Sequence, residues 1–442
     1  MQLSELIEIM KNSGVAGAGG AGFPTYAKLD KRADTIILNC AECEPLLKLH
    51  RQVLEKYAYE ILSTLTLIAD AVEANDVIIA VKGSYQGAID AVNANLSSFP
   101  KVRIGLLPEI YPAGDEVVTI YETTGRVVPP GSIPITVGVT VFNVETILNV
   151  YHGIHNNSPV VYKYITVAGE VKNPITLKVP IGITVAEVVE QAGGVTVEDP
   201  AYINGGPMTG VIVNPYDRIT KTSNAILVMP KNHYIISKRV SKTSIDMKRA
   251  MSVCCQCRMC TDLCSRHLLG HPIEPHEFMR AATSGITKDV GPYLNTMFCS
   301  QCGICEMYAC MQGLNPRTLI GTYKAGLRAN GVPMPKEIPL REVSQEREHR
   351  KVPMSRLTAR LGLAKYNKPA PLVDEVVRTD CVQIMLSQHI GAPAIPVVQL
   401  NEKVKVGQLV GKAADGKLGV PVHASIDGTV TDINDKYITI KA

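Results

Sequence analysis

Eight thiols in two short runs carry the first chemical signal. Cys254, Cys257, Cys260 and Cys264 stand at C-x2-C-x2-C-x3-C, and Cys299, Cys302, Cys305 and Cys310 at C-x2-C-x2-C-x4-C. Thiolates at every third residue of a tight loop reach three corners of an iron-sulfur cubane, and the fourth ligand comes from elsewhere. Where two such runs share a domain, the last cysteine of each serves the other cluster. Cys310 is therefore expected to complete the first cluster and Cys264 the second. Zinc is the competing metal for C-x2-C pairs, but its sites use separated pairs, whereas each run here offers three thiols in one overlapping loop. Ser265 and Met311 replace the proline that usually follows the last cysteine. Cys255 falls outside the spacing and reads as a free or buried thiol, and Cys40, Cys43 and Cys381 stand apart with no metal to hold. His389 and His423 lie at no metal-ligand spacing and read as hydrogen-bonded core or turn histidines.

A second signal is "GVAGAGGAGFPTYAKLD" from Gly14, whose five glycines would let backbone amides approach a phosphate. No Lys-Ser or Lys-Thr pair follows, which disfavours a nucleoside triphosphatase loop. Gly17, Gly19 and Gly22 can be read as G-x-G-x-x-G, but they follow a helix, which is the wrong context for a Rossmann fingerprint. Taken alone, the stretch is a weak signal, since a glycine-rich turn is more often just a turn.

The elements around these motifs set the fold class. "SELIEIMKNS" and "YEILSTLTLIADAVEA" have helical spacing, whereas "TIILNC" and "DVIIAVKG" read as buried strands. Strands alternating with helices predict an α/β layer with parallel strands. From Tyr162 to Pro230 short strands surround one helix, "TVAEVVEQAGG", with Thr184 placed to cap it and Gly193 to end it. "KRVSKTSIDMKR" reads as a polar linker and "REVSQEREHRK" as a solvated helix or linker. From Cys381 to Ala442 glycine and Asp-Gly turns break short alternating strands, which predicts a compact all-β unit.

At 442 residues the chain exceeds what one core organises, since domains run to ~100–150 residues. No apolar run is long enough to span a membrane, and the first residues lack the pattern of a secretion signal. These readings predict a soluble, cytoplasmic protein whose clustered thiols are metal ligands or redox groups and not structural disulfides. Forty-five basic against 41 acidic residues leave a net charge of +4, with no basic run interleaved with aromatics, so nucleic acid is not an expected partner.

Four segments, "GAGGAGFPTYAKL", "NCAECEP", "YPAGDE" and "GVTVFNVETI", resemble in type and order the flavin-site motifs of the NADH-binding, FMN-containing subunit of respiratory complex I. They are closer still to the RnfC component of Rnf ferredoxin:NAD oxidoreductases and to the cobalamin reductases of propanediol-utilisation microcompartments. "YITVAGEV" through "INGGPMTG" is similar to the soluble-ligand-binding β-grasp (SLBB) module of those families. The segment from "QHIGAPAIP" to "HASIDGTV" resembles their barrel-sandwich domain, which starts the Rnf protein but ends this chain, as in the cobalamin reductases. No hairpin lysine is presented for a lipoyl or biotinyl group, so a structural or docking role is expected of this domain.

The resemblance implies an α/β multidomain protein. Its parts would be a Rossmann-like FMN and NADH domain (1–158), a β-grasp domain (159–235), a helical two-cluster ferredoxin-like domain (245–330) and an all-β barrel-sandwich hybrid (371–442). It implies that Gly17, Gly19, Gly20 and Lys28 cradle the FMN phosphate, with Asn39 and Glu42 nearby. Tyr111, Gly114, Asp115 and Glu116 would line the isoalloxazine and nicotinamide side, and Asn143 and Thr146 would complete the pocket. Ala18, Ala41 and Phe142 depart from the complex I pattern, where arginine, aspartate and asparagine stand, which bears on nicotinamide binding more than on flavin binding. The activity implied is electron transfer from NADH through FMN and two [4Fe-4S] clusters to a corrinoid, with no protein acid or base. An Rnf-type electron-transport component and a non-enzymatic electron carrier are the alternatives. Implied partners are NADH, a corrinoid or redox protein, and a microcompartment shell protein.

Overall fold

The computed structural model describes residues 1–336 and 338–442. Five early strands are β1 (Thr35–Cys40), β2 (Asp76–Lys82), β3 (Val102–Leu107), the short β4 (Ile110–Tyr111) and β5 (Val139–Asn143). A four-stranded sheet runs β3-β2-β1-β5 with every pairing parallel. Alternation along β1 splits its side chains between two cores. Ile36, Leu38 and Cys40 pack with Leu6, Leu54 and Ile147 on one face. Ile37 packs with Val117, Val118 and Ile120 on the other. The chain leaves β1 toward β2 and β3, then returns to β1's other side as β5, so the order reverses between β1 and β5. Ligands of open parallel sheets bind beyond the carboxyl ends of strands at such a reversal. Asn39 and Asn143 are paired in register at those ends.

The next strands are β6 (Tyr162–Gly169), β7 (Ile175–Pro180), β8 (Pro200–Asn204), β9 (Val211–Val213) and β10 (Ala225–Pro230). The helix Val185–Gln191 carries the expected cap at Thr184, as a full capping box with Glu187, and Gly193 follows it at φ +80°. Two further strands, β11 (Val352–Pro353) and β12 (Leu372–Val376), come from much later in the chain. β12 falls inside the range expected for the barrel-sandwich domain, yet it pairs parallel with β7 and closes the six-stranded sheet β12-β7-β6-β10-β8-β9.

The segment read as a polar linker is helical, and the one read as a solvated helix or linker is largely exposed around the short helix Arg347–Arg350. "KRVSKTSIDMKR" contributes to the helices Tyr234–Val240 and Thr243–Val253. Its Lys238 is buried and donates to Leu314 O at 3.2 Å and Asn315 Oδ1 at 2.6 Å, holding the turn beyond Cys310. "REVSQEREHRK" buries Arg347 between the Tyr121 ring and Glu122, and β11 then pairs antiparallel with β4. In both, a buried cation finds acceptors that local composition does not reveal.

The cysteine runs lie among short helices whose own core is small: Ala250, Phe278, Met279, Leu314, Leu319 and Ile320. The tail folds as two small sheets over Val382, Ile384, Val410, Val422, Ile438 and Ile440. Among the described residues no helix is long and apolar enough to cross a membrane.

Candidate functional site

A cavity of about 410 Å³ opens at the carboxyl ends of β1 and β5. This lies within the ~300–1,000 Å³ usual for small-molecule sites. Gly17, Gly19, Gly20, Lys28, Asn39, Glu42, Gly114, Glu116, Asn143 and Thr146 line it together, ten of the twelve residues expected there. The glycine loop is tied down by Ala18 N, which donates to Thr146 Oγ1 at 2.9 Å. Thr146 sits in the first turn of the helix Val144–His155, whose N-cap is Asn143. Backbone donors of a glycine loop and a helix N-terminus therefore share one wall, an arrangement that suits a phosphate. Gly20 has φ +61°, and a Cβ on it would meet nothing within 4 Å. Thr25 Oγ1 is buried on the same wall and has no partner among the described residues. A cradle of amides plus an orphaned hydroxyl fits an oxygen-rich ligand such as FMN.

Buried polar groups brace the opposite wall. Asn39 Nδ2 donates to Gly114 O at 2.9 Å, fixing the loop after β4 against β1. Gly114 leaves little room there for a side chain, since a Cβ would lie 3.1 Å from Cys43 Sγ and 3.3 Å from Ala41 Cβ. Burial drives the Glu42 carboxyl upward, but Arg51 and His50 overcome it and hold the group below the usual carboxylate range. His50 N and Arg51 Nε each donate to it at 2.8 Å. Burial pushes His50 down to about 4. Asn143 Oδ1 accepts from Glu145 N, so its Nδ2 is the donor to His50 Nε2 at 2.9 Å. The ring is thus neutral with its proton on Nδ1. Lys28 Nζ spans Glu116 Oε1 at 3.1 Å and Val141 O at 2.9 Å.

Tyr111 and Asp115 do not line the cavity. Asp115 caps the helix Glu116–Thr124 and pairs with Arg266 at 2.8 Å. Tyr111 Oη donates to Cys302 O at 2.6 Å. Both residues join the flavin-type domain to the cysteine region instead. Sequence reasoning missed Phe23, Thr25, Cys43, Glu44, Leu47, His50 and Asn224, which also line the cavity. Glu44 lies in the "NCAECEP" segment itself. Its carboxylate accepts from Met208 N at 2.8 Å and Thr209 N at 2.9 Å, which pins the β-grasp loop to the cavity. Ala18, Ala41 and Phe142 are buried, and Phe142 also lines the cavity.

The two cysteine runs interleave. Cys254, Cys257, Cys260 and Cys310 line one small depression, with exposed Cys255 at its edge. Burial pushes Cys260 up to about 12, and the nearby Cys310, Cys254 and Cys257 push the same way. Cys264 is raised by burial and then by Cys302 and Cys299; Cys305 is raised by burial and then by Cys299 and Cys302. The grouping follows the crossed expectation, Cys310 with the first run and Cys264 with the second. Buried thiols such as Cys260, Cys264 and Cys305 need a cationic centre to ionise, which suits a metal cluster. Among the described residues no three His, Cys, Asp or Glu side chains are drawn together tightly enough for a single metal ion.

Loop geometry explains the spacing. Gln256 and Arg258 in one run, and Gln301 and Gly303 in the other, have positive φ, so each loop coils in the same places around its thiols. Cys260 lies in the α-helical turn Met259–Asp262, whereas Cys305–Ala309 is a π-helical turn. A π turn absorbs one additional residue, so the x4 spacing brings Cys310 to the place that x3 gives Cys264. Gln301 N and Leu314 N donate to Cys299 Sγ and Cys310 Sγ, each at 3.3 Å. Such bonds tune the potential of a bound cluster.

Four family profiles match in sequence order. They are the Nuo51 FMN-binding domain over residues 10–152, the SLBB domain over 164–212, a 4Fe-4S dicluster domain over 253–315 and the RnfC barrel sandwich hybrid domain over 365–442. The cobalamin reductase PduS of Citrobacter freundii is 42% identical over 98% of this chain and 95% of its own length. The chain belongs to the PduS family. The Salmonella typhimurium PduS is 41% identical over the whole chain and 97% of its own length. A component of the Na(+)-translocating ferredoxin:NAD(+) oxidoreductase complex of Acetobacterium woodii is 31% identical, but over 61% of this chain and 59% of its own length. An NAD+-reducing [NiFe]-hydrogenase structure shares the fold at TM-score 0.51 and 19% identity, over 77% of this chain and 65% of that one. Like its PduS relatives, then, the chain is an oxidoreductase that combines an FMN domain with a 4Fe-4S domain.

Proposed function

We propose that the chain carries electrons from NADH, through FMN held in the cavity and two [4Fe-4S] clusters, to a corrinoid. The observation that carries this reading is the bridge from cavity to cysteines. Asp115, next to the cavity residue Glu116, pairs with Arg266, two residues beyond Cys264, while Tyr111 grips the carbonyl of Cys302. The set Cys264, Cys299, Cys302 and Cys305 is thereby held beside the flavin site, and the set Cys254, Cys257, Cys260 and Cys310 lies beyond it, with Cys257 exposed. That order gives a path from cavity to inner set, to outer set, to an acceptor at the surface.

Bound FMN supplies the exchange between two-electron nicotinamide chemistry and one-electron cluster chemistry. The chain's own residues do the rest. The glycine loop, Thr25 and the helix start at Asn143 would bind the phosphate end. Lys28 would neutralise the phosphate end and Glu116 would line the reactive side, with Gly114 leaving room for a planar ring. Neutral His50 and the paired Glu42 keep the wall free of an unpaired charge, and no side chain is required to carry a proton. The corrinoid comes from the names of the PduS relatives, whose likeness runs the full length of the chain. The Rnf-type protein matches a smaller share and is the weaker guide to the acceptor. By the same likeness, the setting would be a bacterial microcompartment with a shell protein as neighbour.

Anaerobically prepared protein should contain one FMN, about eight iron and about eight acid-labile sulfide per chain. NADH should bleach flavin and cluster absorbance, and added cob(III)alamin should restore both. Zinc without sulfide, or protein that retains no flavin, would end this reading.

A further inference from the structure

Asn224 reaches the flavin cavity from outside the flavin-type domain. It stands at the start of β10 in the β-grasp sheet, and its backbone carbonyl accepts from Thr166 N at 3.1 Å. Its side chain lines the cavity, and a Cβ on Gly19 would sit 2.6 Å from Asn224 Nδ2. Which end of the carboxamide faces the loop is settled by Lys163. An ammonium has only protons to offer, so the atom it meets at 2.9 Å is Oδ1. Nδ2 is left as a donor, with no protein acceptor among the described residues.

The support behind it is rigid. Lys163 and Glu145 form an ion pair with each side chain 1% exposed. Glu145 also accepts from Tyr164 N at 3.0 Å and belongs to the helix whose Asn143 and Thr146 line the cavity. A buried pair of this kind fixes direction more than it adds stability. One helix thus presents its own first turn to the cavity and, through Glu145 and Lys163, aims the amide of a second domain at the same glycine loop.

We propose that Asn224 is a ligand-contacting residue of the flavin site, donating its carboxamide N–H to the phosphate of FMN and so making the site a joint product of two domains. The phosphate is the chosen partner because Nδ2 abuts Gly19, in the loop where backbone donors converge. The inference rests on the cavity being the FMN site.

The test is flavin-fluorescence quenching by cluster-loaded, flavin-stripped protein, with FMN and with riboflavin, which lacks the phosphate. Wild-type protein that binds neither would reject the FMN reading itself. Given wild-type binding, Asn224→Ala should weaken FMN by roughly ten- to a hundredfold, the loss expected for a hydrogen bond to a charged group, and leave riboflavin unchanged. Asn224→Asp, the same shape with a charge, should weaken FMN further and also spare riboflavin, while iron content and circular dichroism match wild type. Equal loss for both flavins, or no loss of FMN, would overturn the proposal.

Discussion

Replacing Asp115 by asparagine tests the joint between cavity and cysteines. The carboxylate takes Arg266 Nη2 on Oδ1 at 2.8 Å and Arg266 Nε and Nη2 on Oδ2 at 3.1 Å each. Oδ1 also accepts from Val117 N at 3.0 Å. Side-chain exposure is 8% for Asp115 and 19% for Arg266, so water screens the pair poorly. Breaking a buried pair by removing one partner costs ~3–5 kcal/mol. Partial exposure puts this pair at the lower end, about 3 kcal/mol, because asparagine keeps an oxygen for the cap but turns an N–H2 toward the guanidinium. Alanine would add the lost cap, about 1 kcal/mol more. Hydrogen exchange at Val117 and Val118 should then speed up by about two orders of magnitude in Asp115→Asn. In anaerobic stopped flow, NADH should still bleach the flavin at the wild-type rate while cluster bleaching lags behind it. Unchanged cluster bleaching despite faster exchange would refute the wiring argument, and unchanged exchange would refute the energetic one.

The crossed ligand sets make a paired prediction: Cys310→Ser should perturb the paramagnetic signal of the cluster that Cys257→Ser also perturbs, and Cys264→Ser that of the Cys302→Ser partner, whereas uncrossed pairing of signals would contradict the grouping. Deleting Tyr308 restores x3 spacing and should turn the π turn into the α turn seen in the first run, leaving Cys310 in its place. The variant should keep its iron and sulfide, and loss of about half of each would count against the role given to that turn. Burial holds His50 and His271 near about 4 and His423 near about 3. Each binds its proton more readily when unfolded, so stability should fall as pH drops from about 6.5. Thermal melts of His423→Gln should show a shallower acid limb, and an identical slope would remove that histidine from the account.

Much of this was legible from local pattern. β1 and β2 follow from apolar runs that feed two cores, and the cap at Thr184 from Thr-x-x-Glu spacing. The crossed cysteine sets were expected from the rule for two-cluster runs. Asp115 and Tyr111 show the limit, because both belong to a segment that resembles a flavin motif while their side chains face the other way. An aspartate before the helical stretch "EVVTIYETT" was a readable N-cap signal for Asp115; nothing local marks Tyr111 as a partner of Cys302, 191 residues on. Asn224 was invisible for the same reason, since its place at the cavity depends on how two domains meet. The extra residue before Cys310 was visible as a number, but the π turn that accommodates it was not. Lys238 and Arg347 looked like solvated charge because acceptors for both come from remote chain.

Cys257 and Cys255 face solvent, whereas Cys305 is buried. If the two sets hold the proposed pair of clusters, oxygen arriving from outside would meet the outer cage first, and that cage would behave as a fuse. Air-exposed protein should pass through a half-loaded state in which the cage beside the cavity survives, and NADH would still charge it with nowhere further to send the electrons.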